Sequence, residues 1–171
     1  MSVNDVLTTA RLRLRPFAHQ DVDALHAQWT HPDVRRYLWD GRVIARDEVV
    51  AVVEESIAGF ATRRYGFWVL ERAGVPSPVG FAGFRMLPDS DELELYYGLE
   101  RAHWGHGLAT EAAREVLRYG FAVLALDRIY IRTDGPNAAS VAVMQRLGAS
   151  YLRTDPIGVF GTTIVYVMQR P

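Results

Sequence analysis

Two periods alternate along this chain. Arg11-Leu12-Arg13-Leu14-Arg15 switches strictly between polar and apolar, which predicts a half-buried strand. Val22, Leu25 and Trp29 then recur at helical spacing and predict a helix over Asp21 to Trp29. Pro32 interrupts, and Val34 to Trp39 predicts a short second helix. Asp47 to Arg63 sets Val49, Val50, Val53, Ile57 and Phe60 along one broad face, a third helix. Tyr65 to Glu71 and Val79 to Leu87 predict a strand pair around the turn Pro76-Ser77-Pro78. After a Pro88-Asp89-Ser90-Asp91 turn, Glu92 to Leu99 sets Glu92, Glu94 and Tyr96 against Leu93, Leu95 and Tyr97, another strand. Gly105 to Leu124 is the clearest helix, opened by glycines, and Arg128 to Thr133 a strand. Asn137 to Leu147 predicts a short helix stopped by Gly148; Ala149 to Arg153 and Thr163 to Gln169 close the chain as strands. This order predicts an α/β fold: a single mixed, mainly antiparallel central sheet flanked by helices, with a parallel crossover through the Gly105 helix.

No repeat or linker divides the 171 residues, so one domain over 1–171 is expected. The formal net charge of -1 gives no footprint for nucleic acid. No apolar run reaches spanning length, and Met1 to Thr9 lacks a signal-peptide pattern, so a cytoplasmic chain without a membrane partner is expected. With no cysteine there is no disulfide and no thiol nucleophile.

The segment His103-Trp104-Gly105-His106-Gly107-Leu108-Ala109-Thr110 follows a strand and enters a helix. Gly105 and Gly107 let backbone approach a ligand, and the helix start offers free N–H groups and the positive end of a dipole. A pyrophosphate suits such a site, with a Thr110 hydroxyl to add. A plain tight turn fits the same pattern. A dinucleotide fingerprint would need a small residue where Thr110 stands, and a P-loop would need a Gly-Lys pair.

Taken together, Glu94-Leu95-Tyr96-Tyr97-Gly98-Leu99, Trp104 to Ala112, Asn137-Ala138-Ala139-Ser140 and Leu147-Gly148-Ala149 resemble the GNAT superfamily of N-acetyltransferases. Within it the chain resembles the ribosomal-protein alanine N-acetyltransferases of the RimJ/RimL branch. The resemblance runs from Ala10 nearly to the C-terminus and implies an acetyl-CoA cosubstrate without metal. It implies pyrophosphate on the backbone of Gly105, His106, Gly107, Leu108, Ala109 and Thr110. The pantetheine arm would lie in a cleft where the strand ending at Leu99 splays from the next, near Asn137 and Ser140. Trp104 stands where the superfamily favours Gln or Arg. Met144 stands where many members carry a tyrosine that protonates the leaving thiolate, which leaves Ser140 or water for that task.

Transfer to an amine needs a neutral amine, and reference pKa values of about 7.7–8.0 for an α-amine and about 10.4 for lysine make a base useful. Glu94 is the expected base by its family position, with Glu92 on the same strand face; both also fit a solvated face. Trp29, Tyr37 and Trp39 come from the early helices, where the resemblance puts the acceptor wall. Glu111 fits a helix-dipole role, and His103 and His106 lack partners for a metal site. The acceptor is expected to be a small-molecule or peptide N-terminal amine, and a homodimer is compatible with the chain. A non-catalytic acyl-CoA-binding module is the competing function. A nicotinamide-dependent oxidoreductase ranks behind it, and Ser140 lacks the context of a hydrolase nucleophile.

Overall fold

The computed structural model describes residues 5–88 and 90–171. The first four residues of the N-terminal segment and Asp89 of the expected turn lie outside them. Eight strands form one sheet: β1 (Leu7–Thr8), β2 (Arg13–Pro16), β3 (Phe67–Glu71), β4 (Gly80–Met86), β5 (Leu93–Leu99), β6 (Arg128–Asp134), β7 (Ser150–Asp155) and β8 (Thr163–Gln169). Their spatial order is β1-β2-β3-β4-β5-β6-β8-β7, and among the described residues only the neighbours β5 and β6 run parallel. The helices are α1 (Val22–Thr30), α2 (Pro32–Leu38), α3 (Arg46–Arg63), α4 (Leu108–Ala122) and α5 (Ala138–Leu147). The mixed, mainly antiparallel sheet with a crossover through α4 is therefore the observed architecture.

Alternation in the central strands divides the core. Trp68, Leu70, Ala82 and Phe84 join Leu95, Ile129 and Ile131 beneath the apolar stripe of α4, with Met144 from α5. Val69 and Phe81 face the other way, onto Phe17, Leu25, Trp29, Val49 and Val53 of the α1–α3 layer. Both faces of β3 and β4 are thus buried, and helices cover the sheet on both sides.

Local chemistry sets the boundaries. α4 starts at Leu108 and not at Gly105, because Gly105 and Gly107 adopt φ of +78° and +76°, in the left-handed region that ends helical continuity. Asn137 is the N-cap of α5, its side-chain oxygen accepting from the Ser140 N–H at 3.2 Å. β1, too short to carry a period, pairs Leu7 with Leu14 and adds a strand the alternation did not predict. Arg11 lies outside β2, and its backbone and side chain both bond Glu111.

The decisive feature is local separation of the sheet. β4 pairs with β5 along its whole length, and β6 pairs likewise with β8. β5 and β6, however, pair only at Glu94–Tyr130 and Leu95–Ile131. Beyond Leu95 the two strands part, and Tyr96 to Leu99 keep their neighbour on one side only.

Candidate active site

The parting of β5 from β6 opens a cleft of about 750 Å³. The turn before α4 lies at one part of its wall: Trp104, Gly105, Gly107, Leu108, Ala109 and Thr110 all line it. The Trp104 indole donates to the Leu99 carbonyl at 2.8 Å and ties the turn back to the end of β5. That contact gives the aromatic residue a structural task at this position. His106 does not line the cleft, but its carbonyl accepts from the Arg11 guanidinium at 2.9 Å. Arg11 also pairs with Glu111, which further accepts from the Thr9 hydroxyl at 2.6 Å. Burial opposes ionisation of Glu111, yet the bonds from Thr9 and Arg11 together hold its carboxyl below the usual range. Glu111 thus clamps the N-terminal segment to α4 beside the turn, a larger role than complementing the helix dipole.

Two observations test the turn as a phosphate cradle. The two positive-φ glycines leave the backbone bare: a Cβ on Gly105 would meet nothing within 4 Å, and one on Gly107 only Arg11, at 3.6 Å. The Thr110 hydroxyl is buried in the first turn of α4 without a hydrogen-bond partner among the described residues, although Thr110 lines the cleft. A phosphate oxygen would accept from it and from the free N–H groups of the turn. Arg11, Arg114 and Arg146 line the same cleft and supply the cations a polyanion needs. None of these three was singled out by sequence; the spacing of Thr110 and Arg114, one helical turn apart, is the signal that could have found Arg114.

Leu99, Asn137 and Ser140 also line the cleft. Ser140 has a partner that sequence reasoning passed over. Tyr97 projects from β5 so that its hydroxyl lies 2.8 Å from Ser140 Oγ. Burial pushes the Tyr97 phenol up to about 12, against the opposing effect of the Ser140 bond, so it stays protonated. Met144 is fully buried in the core behind α5.

The expected acceptor residues separate. Tyr37 lines the cleft, stacks near Phe160 with ring centroids 5.3 Å apart, and donates to the Pro136 carbonyl at 3.4 Å. Trp29 and Trp39 line a different, smaller cavity. Glu92 lines neither cavity; it is ion-paired with Arg128 at the start of β5.

Glu94 is 1 % exposed and is not part of the cleft wall. Arg85 Nε donates to one carboxylate oxygen at 2.5 Å and Arg132 Nε to the other at 2.6 Å. A second Arg132 nitrogen adds a bond at 3.1 Å. Arg85 also stacks over Tyr96, 3.7 Å from the ring centroid, and the Glu94 bond raises the pKa of Arg132. The solvated-face alternative for Glu94 is excluded by this burial. Asp134, at the end of β6, is half-buried, and burial first and Asp40 second raise its pKa.

The splayed parallel pair, the glycine turn feeding a helix start and the polar N-cap of α5 border one cleft, a shape suited to a long cosubstrate with phosphates at one end. Comparison agrees: residues 11–150 match the acetyltransferase (GNAT) domain family. The chain belongs to that family and is an acetyl-CoA-dependent acyltransferase. It is 32% identical over 148 residues to the uncharacterized N-acetyltransferase p20 of Bacillus licheniformis, covering 84% of this chain and 81% of that one. It is 32% identical over 161 residues to the FsC-acetyl coenzyme A-N(2)-transacetylase of Aspergillus fumigatus, covering 86% and 66%. An acetyltransferase from Agrobacterium tumefaciens superposes with a TM-score of 0.82 at 25% identity, covering 96% and 94%. RimL, the ribosomal L7/L12 α-N-protein acetyltransferase, superposes in its coenzyme A complex with a TM-score of 0.81. That likeness, at 18% identity over 96% and 97% of the two chains, is one of fold. Among the described residues no group of three or more His, Asp or Glu could hold a metal, and no helix is long and apolar enough to cross a membrane.

Proposed function

We propose that the chain transfers an acetyl group from acetyl-CoA directly to a primary amine, on a protein N-terminus or a small molecule, in the cytoplasm. The observation that carries this reading is one cleft lined at once by the glycine turn, the parted end of β5, the Tyr97–Ser140 pair and Tyr37. Acetyl-CoA supplies an activated thioester carbonyl. The chain supplies its binding and the proton traffic. Backbone of Gly105 to Thr110, with Arg11, Arg114 and Arg146, would hold the phosphates. Leu99 and Asn137 would flank the arm, and backbone groups of β5 beyond Leu95 are free to bond it. Ser140 Oγ, backed by the Tyr97 hydroxyl, is the proton source on the α5 side. Tyr37 lies where it would meet the acceptor.

Glu94 admits two readings. In one it takes the amine proton through a water. The other is favoured by its three bonds to Arg85 and Arg132 and by its absence from the cleft wall. There Glu94 anchors the two arginines, Arg132 beside the cleft, and the amine proton leaves to solvent. Glu92, held by Arg128, takes a structural part in either case. A homodimer is supported by β7, an outer strand whose Tyr151 and Leu152 are exposed together with Ile157 and Val159.

The test is thiol release from acetyl-CoA with a panel of primary amines, including peptides with free N-termini. Direct transfer predicts that initial rates at varied concentrations of both substrates give intersecting double-reciprocal lines. Parallel lines, or an isolated acetylated enzyme that passes its group on, would contradict direct transfer.

A further inference from the structure

Four tryptophans occur in the chain, and their indole N–H groups fall into two pairs. Trp68 donates to the Asp5 carbonyl at 2.6 Å and Trp104 to that of Leu99 at 2.8 Å. The N–H groups of Trp29 and Trp39 are buried with no acceptor among the described residues. Buried donors are almost always paired in folded proteins, so two adjacent orphans call for an explanation. Both belong to side chains lining one cavity, and the two rings pack with centroids 5.5 Å apart. Trp29 itself is 2 % exposed.

This cavity, of about 180 Å³, lies on the α1–α3 side of the sheet, with Phe67 and Phe81 among its apolar walls. It is smaller than the roughly 300–1,000 Å³ usual for a whole ligand, and suits one side group. Leu38 and Tyr96 line both this cavity and the main cleft, and the Tyr96 hydroxyl donates to the Leu38 carbonyl at 3.0 Å. A single residue pair therefore stands between the two spaces. Arg63 and Arg85 also line the smaller cavity, against one carboxylate, Glu55. Glu94, already bonded to Arg85, offsets that charge in part. Two unused donors and a surplus of cations reject an ammonium group and favour an oxygen acceptor.

We infer that this cavity is the subsite for the acceptor's side group, and that it takes an apolar group bearing a carbonyl or carboxylate oxygen. The amine of the same molecule would lie across the Tyr96–Leu38 partition, in the main cleft. The assignment to an acceptor rests on the acetyltransferase reading; the oxygen-accepting character of the cavity does not.

The test uses benzoate, an apolar ring with a carboxylate and no amine, added to the ¹⁵N-labelled full chain saturated with CoA. The indole resonances are assigned with single Trp→Phe variants. Benzoate should move the Trp29 and Trp39 resonances saturably and leave those of Trp68 and Trp104 in place, while benzylammonium moves none. Trp39→Phe should weaken benzoate about fivefold, the loss of one ordinary hydrogen bond, without changing CoA affinity. As an acetyl acceptor, 4-(aminomethyl)benzoate should be preferred to benzylamine, and Trp39→Phe should shrink that preference. Unmoved resonances, or equal movement by benzylammonium, overturn the inference even if acetyl transfer proceeds. Equal use of the two amines, with benzoate still bound, overturns the assignment to the acceptor. Transfer to no amine, with the resonances still moving, overturns the acetyltransferase reading and leaves only an oxygen-binding cavity.

Discussion

Replacing Glu94 by Gln separates the two readings of this residue. The amide keeps the shape but can accept from only one side; its NH₂ faces a guanidinium donor. Removing one partner of a buried ion pair costs about 3–5 kcal/mol. Here the Arg85 side chain is 44% exposed and can turn to water, so its share is discounted for screening; Arg132, at 24%, cannot turn as freely. A net loss of about 2–3 kcal/mol follows. For a domain of this size that lowers Tm by roughly 5–10 °C. A double-mutant cycle with Arg132→Gln should return a coupling of at least about 1 kcal/mol.

Turnover discriminates more sharply. If Glu94 anchors arginines, Glu94→Gln lowers kcat by less than about tenfold, and by the same factor at every pH. If it takes the proton, kcat falls by about 10²–10⁴-fold. The defect would then shrink as pH approaches the acceptor's pKa, about 7.7–8.0 for an α-amine. The bonding in the structure favours the first outcome. An unchanged Tm would refute the reasoning about the ion triad. A large loss of turnover that recovers at high pH would restore Glu94 as the base.

Three further outcomes are expected. Gly107→Val should abolish measurable CoA binding in calorimetry, because a β-branched residue resists φ of +76° and the turn must rearrange; contact with Arg11 at 3.6 Å contributes little. Ser140→Ala should lower kcat more than Tyr97→Phe, and the Tyr97→Phe defect, about fivefold for one hydrogen bond, should not vary between pH 6 and 9 in steady-state assays, since the phenol at about 12 does not titrate there. Glu111 has a depressed carboxyl pKa, so its contribution to stability is complete above the unfolded value of about 4.3 and fades as pH falls through the lower folded one; the Tm difference between wild type and Glu111→Gln should close in that acidic window.

Much of this was legible in the residues because it rests on local rules. Asn137 announces the start of α5, the glycine-rich stretch announces α4 to within three residues, and period-two alternation placed Tyr96 and Tyr97 on opposite faces of β5. Contacts between residues distant in sequence were not legible. Arg11 reaches Glu111 and His106 only because the N-terminal segment folds against the start of α4, and Arg85 and Arg132 meet at Glu94 only because the sheet brings three separate strands together. Local pattern left Glu94 open to a solvated or a catalytic role; both of its arginines lie on other strands. The Tyr97–Ser140 pair escaped notice for the same reason: a strand and a helix far apart in sequence each supply one hydroxyl.

That alternation in β5 also places its two tyrosines in the walls of two spaces on opposite faces of one strand, which on the proposed reading would serve two substrates. Tyr97 points toward α5, where its hydroxyl meets Ser140 in the wall that flanks the expected arm of the cosubstrate. Tyr96, its immediate neighbour, points toward α2, where its hydroxyl meets the Leu38 carbonyl and its ring walls the smaller cavity. The strand can present both side chains to open space only because β6 departs after Leu95. Had pairing continued, the edge of Tyr96 to Leu99 would be spent on ladder bonds, and there would be no gap in which a thioester could meet an amine. The break in pairing is therefore what turns a sheet buried on both faces into a passage between them. On the proposed reading, the residues around that break, not those at the better-packed strand centres, are where donor and acceptor specificity would divide.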